Sequence, residues 1–275
     1  MTATAILGKG GVGKTFVAAH IAAALGYMGE KTLLVGCDQK RDTTRALSRS
    51  ERPALIHALE SVGFAYDELA LGELIVPVSE YIDAIELGPA PLLVGHYGTV
   101  LDECFHTFDL HRLWEGYRHV IFDVTDERFD ANYAPLFRRC TGAIAVTNES
   151  AESLFVLNRL LRAILIGADE HRMRIKVLGV INNRSLNPLP FQRYTERTRV
   201  FPLLTIPDRP ELAALRHFHR TLLALQPEPP EFKATIDGFI RIADLLRVDP
   251  FVLYPLSPLP DEEIWKLEPA MSLPS

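Results

Sequence analysis

Eight residues near the start of the chain, Gly8-Lys9-Gly10-Gly11-Val12-Gly13-Lys14-Thr15, restrict the possible folds more than any other part of the sequence. They fit the pattern GxxxxGK[ST] without exception. They lie between a short apolar run, residues 3–7, and a segment with Val17, Ala18, Ile21, Ala22 and Leu25 at helical spacing. Such a loop works only in that order of strand, glycine-rich turn and helix. Glycines let the backbone curl so that several N–H groups point at one anion, and the helix N-terminus adds partial positive charge there. Gly8, Gly10, Gly11, Val12 and Gly13 would cradle a triphosphate, Lys14 would reach its β- and γ-phosphates, and the Thr15 hydroxyl would ligate Mg²⁺.

The remaining periodicity continues the alternation of strands and helices. Further strands are predicted at 32–35, 82–87, 120–124, 143–147, 175–181 and 200–206. Helices are predicted at 14–28, near 67–75, and at 153–166, 211–225 and 231–246. This order demands an α/β fold with a mostly parallel sheet covered by helices on both faces. A chain of 275 residues fits one large domain over residues 1–247. Residues 248–275 are proline-rich and read as an arm that wraps the body or a partner, or as a disordered end.

Composition removes several functional classes. Charged residues at 23% and hydrophobic residues at 48% exclude a disordered chain, and the net charge of −6 argues against a broad nucleic-acid surface. The three cysteines, Cys37, Cys104 and Cys140, form no CxxC, which excludes a zinc ribbon or a thioredoxin motif and fits a reduced, cytoplasmic compartment. The N-terminus lacks the pattern of a secretory leader. The longest uncharged runs, 15–29 and 87–101, are too short to span a bilayer, so no membrane attachment is expected.

Lys9 is a second lysine inside the loop. This form resembles the family that contains septum-site and partition ATPases, the arsenite-pump ATPase and the nitrogenase iron protein. The resemblance implies that Lys9 crosses a homodimer interface to the partner's nucleotide. Residues 34–45, LVGCDQKRDTTR, narrow the likeness to the nitrogenase iron protein and the protochlorophyllide and chlorophyllide reductase ATPase subunits, with Gln39 in place of a proline. In that light Asp38 would sit near Mg²⁺ and position water, and Asp42 would belong to the first switch. Asp123 closes the strand HVIFD and would hold Mg²⁺ through water, although a strand-end aspartate also caps turns. Asn183 resembles the family's base-reading asparagine, and Pro207 and Asp208 its adenine or ribose loop; ordinary turn chemistry is the alternative for each. Glu127, with Asp126 beside it, aligns with the family's water-orienting aspartate. Lys9, Lys14, Asp38 and Glu127 are therefore the catalytic candidates, and Thr15, Asp38 and Asp123 the metal candidates.

Iron proteins of this branch share a [4Fe–4S] cluster between two subunits. The two cysteine positions are occupied here by His96, in Val94-Gly95-His96-Tyr97-Gly98, and by Asp130. Clusters require soft thiolates, so none is expected here. The resulting expectation is a dimeric, slowly hydrolysing ATP switch that binds ATP and Mg²⁺ and acts on an unidentified protein partner. The alternatives are an electron donor with unorthodox ligands, a positioning ATPase, and a protein that binds nucleotide without hydrolysis. A basic cluster of Arg193, Arg197, Arg199, Arg209, Arg216, His217, His219 and Arg220 reads as a solvated face, with nucleic-acid contact as the lesser alternative.

Overall fold

The computed structural model describes residues 1–37, 42–65, 69–88, 102, 114–124, 134–170, 175–248 and 255–267. The first strand, β1 (Thr2–Gly8), leads through the glycine loop into helix α1 (Lys14–Tyr27). Then come β2 (Thr32–Gly36), α2 (Asp42–Arg45), α3 (Leu55–Ser61), β3 (Val76–Pro77), β4 (Ile82–Glu86) and β5 (His119–Asp123). The second half holds α4 (Ala134–Phe137), β6 (Gly142–Thr147), α5 (Ala151–Glu170), β7 (Lys176–Ser185), α6 (Leu189–Thr198) and β8 (Pro202–Pro207). It closes with α7 (Pro210–Ala214), α8 (Lys233–Arg247) and α9 (Asp261–Ile264).

The strands form one sheet in the order β3-β4-β2-β5-β1-β6-β7-β8. Every pairing is parallel except β3 with β4. Side chains alternate across the sheet, and both faces of its central strands are buried. From β1, Ala3, Ala5 and Leu7 point into one core with Leu55, Ile56, Leu59 and Phe137, whereas Ile6 points into the other with α1 and α8. Trp114 packs edge-on against Phe122 of β5 with ring centroids 5.2 Å apart. Burial of a ring such as Phe122 is worth roughly 1.5–3 kcal/mol. Helix α1 is buried on nearly every side because it lies between the sheet and α8, which explains its run of alanines.

Two expected elements differ from what is observed. The helix expected near 67–75 is, within the described residues, a short 3₁₀ turn at Leu71–Leu74. The helix expected over 211–225 is broken into α7 and 3₁₀ turns at Leu215–Phe218 and Leu222–Ala224. His219 adopts a left-handed backbone, φ 52°, and the Leu222 N–H bonds to His20 Nε2 at 3.0 Å instead of to a helical carbonyl. Helix α6, absent from the expectation, begins at a proline pair that suits a first helical turn.

Residues 255–267 lie against α5 and α6. Asn158 of α5 exchanges two hydrogen bonds with the Leu259 backbone, at 2.8 and 2.9 Å. Arg162 pairs with Asp261, and Ile264 and Leu267 are buried beside Phe191 and Tyr194.

Candidate functional site

Because β1, β2, β5, β6, β7 and β8 run parallel, their C-terminal ends share one edge of the sheet. The chain runs outward from β1 through β2 and β4, returns through β5, and crosses to β6 on the other side of β1. Ligands of such sheets bind where the winding reverses, which here is the end of β1.

The glycine loop sits at that point. Gly8 is where backbones meet closely: a Cβ there would lie 2.1 Å from the Val146 carbonyl oxygen. Gly13 starts α1 in a left-handed conformation, φ 91°, and a Cβ there would lie 2.2 Å from Asn183 Nδ2. No side-chain hydrogen bond caps this helix end, and a helix N-terminus of this kind favours an anion. The Asn183 amide donates to the Val12 carbonyl at 2.7 Å and so fixes the loop to the end of β7. Lys14 is buried and folds back, donating to the carbonyls of Gly8 at 2.9 Å and Lys9 at 3.0 Å. A phosphate in the loop would take over an ammonium that the loop's own carbonyls now satisfy.

A second set of contacts ties α2 to the ends of β5 and β4. Asp123 is fully buried at the end of β5 and accepts the Thr43 hydroxyl at 2.7 Å. Glu86, buried at the end of β4, accepts the Thr44 backbone N–H at 2.6 Å. Gly36 makes room for this arrangement, since a Cβ would meet Glu86 Oε2 at 2.0 Å and Thr43 Cβ at 2.7 Å. A cation such as Mg²⁺ suits the hard oxygen donors of Thr15 and Asp123. Asp38, Glu127, Asp126, His96 and Asp130 lie outside the described residues.

A cleft of about 670 Å³ opens over the loop. It is lined by Gly10, Gly11, Gly13, Lys14 and Thr15 at one end, by Asn183, Pro207 and Asp208 beside them, and by Phe16, His20, Arg216, His217 and Arg220 farther out. Gly8 and Val12 are not among the lining residues. His20 has little exposure; its Nδ1–H donates to the Phe16 carbonyl and its Nε2 accepts from Leu222. Burial lowers its pKa to about 4, so it is a neutral strut.

Several contacts around the cleft carry no local sequence signal. Thr43 and Asp123 are 80 positions apart. Asp42 forms an ion pair of 2.6 Å with Arg216, and the His219 Nδ1–H donates to the Arg45 carbonyl. Lys9 is paired with Glu152 in the first turn of α5, at 3.0 Å. The basic cluster of the sequence is split: Arg197 pairs with Glu263 of α9, whereas Arg209, Arg216, His217 and Arg220 face the cleft.

The described cysteines do not suit an iron–sulfur cluster. Cys37 is embedded in the apolar core. Cys140 is buried and donates its S–H to the Leu136 carbonyl, and burial pushes its pKa up, away from the thiolate that iron needs. Cys104 lies outside the described residues. Among the described residues no group of three or more His, Cys, Asp or Glu could hold a metal ion. Nor is any helix among them long and apolar enough to cross a membrane.

Comparison with known proteins agrees with this geometry. The light-independent protochlorophyllide reductase iron-sulfur ATP-binding protein of Halorhodospira halophila is 31% identical over 265 residues, covering 96% of this chain and 86% of that protein. A ParA family ATPase from Chlorobium tepidum superposes with a TM-score of 0.68 at 19% identity, over 88% of this chain and 98% of that one. The MinC:MinD cell division protein complex of Aquifex aeolicus gives 0.65 at 18% identity, over 93% and 100%. Both structures share the fold of the ATPases the sequence resembles. Residues 2–271 match the family described as 4Fe-4S iron sulfur cluster binding proteins, NifH/frxC family, and the chain belongs to that family.

Proposed function

We infer that the protein binds ATP with Mg²⁺ in this cleft and works as a dimeric nucleotide switch without a [4Fe–4S] cluster, acting on a protein partner. The observation that carries the reading is the hydrogen bond from Thr43 to buried Asp123, which ties α2 to the end of β5, the strand paired with β1. A γ-phosphate held by Lys14 and the loop N–H groups changes the charge beside Asp123. The Asp123–Thr43 bond passes that change to α2, which Asp42 and Thr44 also anchor.

Phosphoryl transfer depends mainly on positioning and charge neutralisation. The bound ion would neutralise phosphate charge, held through Thr15, Asp123 and Asp38. Glu127, with Asp126 as its neighbour, orients the attacking water. Asn183, Pro207 and Asp208 take the base and ribose. Lys9 leaves Glu152 to meet the nucleotide of a second copy, which makes the ATP-bound dimer the active form. Slow turnover suits a switch. The partner is a protein, as MinC is for the MinD of the Aquifex complex. The absence of a cluster rests on His96 and Asp130 at the two cysteine positions and on the buried thiols of Cys37 and Cys140.

The test is ATP turnover and nucleotide-dependent dimerisation for the wild type and Lys14→Ala. Binding and dimerisation in the wild type, lost in the variant, support the reading. Equal and negligible binding in both removes it. A second reading, an iron–sulfur electron donor with unorthodox ligands, is favoured by the family description and by the name of the protochlorophyllide reductase relative. Iron and sulfide analysis after anaerobic purification separates the two: stoichiometric iron and sulfide supports the donor.

A further inference from the structure

The charge lining the cleft exceeds what a 5′-triphosphate requires. Lys14, the loop N–H groups and a divalent cation balance the phosphates at one end. Beyond them, Arg184, Arg209, Arg216 and Arg220 also line the cleft, joined by His217. Two carboxylates, Asp42 and Asp208, line it too, and Asp42 is taken by Arg216. Among the described residues, Arg209 and Arg220 pair with no carboxylate. The concentration of guanidinium groups occurs in a chain whose net charge is −6, so it is local and not a reflection of composition.

The turn that carries Arg216 and Arg220 is built, not loose. The Arg220 N–H bonds to the Leu215 carbonyl and the His219 N–H to the Arg216 carbonyl, both at 3.2 Å. Buried His20 then accepts the Leu222 N–H, fastening the turn to α1. Helix α1 begins at the phosphate loop, and Thr15 and His20 are five positions apart. Five residues span about 7.5 Å of helix axis, so the turn is fastened to α1 about a nucleoside's length from the phosphate loop, and its arginines line the same cleft.

We propose that this end of the cleft is a second anion subsite, and that the preferred ligand is a purine nucleotide bearing a further phosphate on its ribose, at the 2′ or 3′ position. The inference rests on the nucleotide-site reading above and goes beyond it in ligand class. Arg209 and Arg220 supply charge-assisted hydrogen bonds to the added phosphate, a geometry that guanidinium groups match well. A plain nucleotide leaves them in solvent.

Titration calorimetry at fixed Mg²⁺ and ionic strength compares three probes on the full-length protein: ADP, 2′-phospho-ADP and 3′-phospho-ADP. A short single-stranded oligonucleotide is the fourth. At least one ribose-phosphorylated probe is expected to bind about ten-fold or more tightly than ADP. The double variant Arg209→Gln/Arg220→Gln is expected to erase that preference while its affinity for ADP stays within a few-fold of wild type. The 2′ and 3′ arms show which ribose position is read. Equal affinity for all three nucleotides overturns the subsite and leaves the nucleotide-site reading intact, as does a preference that survives in the double variant. If the oligonucleotide alone outcompetes ADP, the guanidinium groups serve nucleic acid and the proposal fails. If no nucleotide binds, both readings fail together.

Discussion

Lys9 of the phosphate loop is held 3.0 Å from Glu152, the second residue of α5. Both side chains reach solvent. A pair of this kind contributes about 0–1 kcal/mol, too little to oppose capture of the ammonium by phosphate. On the proposed reading, Glu152 holds Lys9 only until a nucleotide competes for it. Lys9→Ala should retain ATP binding and lose ATP-dependent dimerisation in sedimentation velocity. Glu152→Ala should dimerise at equal or lower ATP concentration, by a factor of up to about 5.

Gly13 and Asn183 form a steric pair, because a Cβ on Gly13 would lie 2.2 Å from Asn183 Nδ2 in a backbone conformation, φ 91°, that favours glycine. Gly13→Ala should abolish nucleotide binding and lower stability by roughly 1–3 kcal/mol. Adding Asn183→Ala removes the clash but not the backbone strain. The double variant should recover part of the stability and little of the binding, read by urea denaturation and calorimetry.

Thr43 donates to the buried Asp123 carboxylate at 2.7 Å. Thr43→Val keeps the shape and deletes the hydroxyl, which should cost about 1.5–3 kcal/mol because a charged acceptor loses a donor. ATP binding should persist, whereas the nucleotide-dependent change at α2, followed by hydrogen exchange over Asp42–Arg45, should disappear.

His20 and His119 are both buried, and burial lowers the pKa of each to about 4 from 6.5. The unfolded chain therefore binds more protons than the folded one between those values, and stability rises with pH across that window. The contribution is complete above about pH 6.5 and is lost as pH falls through about 4. For His20 the full loss is roughly 3 kcal/mol. Denaturation midpoints at pH 7, 5.5 and 4.5 should fall in that order, and His20→Gln should be less stable at pH 7 with a shallower acid slope.

The sequence reveals most where chemistry is local. The loop of residues 8–15, Asp123, Asn183, Pro207 and Asp208 all stand at strand ends that the parallel sheet gathers on one edge. Their spacing within each segment was readable without the fold. Contacts made across the fold were not. Periodicity over 211–225 reads as one helix because nothing nearby discloses that the Leu222 N–H will meet a histidine 202 positions away. Glu152 falls just outside the helix expected at 153–166, because the helix begins at Ala151, three residues before Leu154, the first large apolar residue of its buried face. The role of Thr43 depends on an aspartate of β5, a strand that pairs with β2 in the sheet but lies 80 positions on in the chain.

The proposed switch depends on ATP bringing two copies together with no iron–sulfur cluster between them. Native mass spectrometry of the anaerobically purified protein, incubated with Mg²⁺ and a non-hydrolysable ATP analogue, tests it in one spectrum. The expected species is a dimer whose mass is two chains plus two nucleotides and their magnesium ions. A dimer carrying the additional mass of four irons and four sulfides, or a nucleotide-loaded protein that stays monomeric, would contradict it.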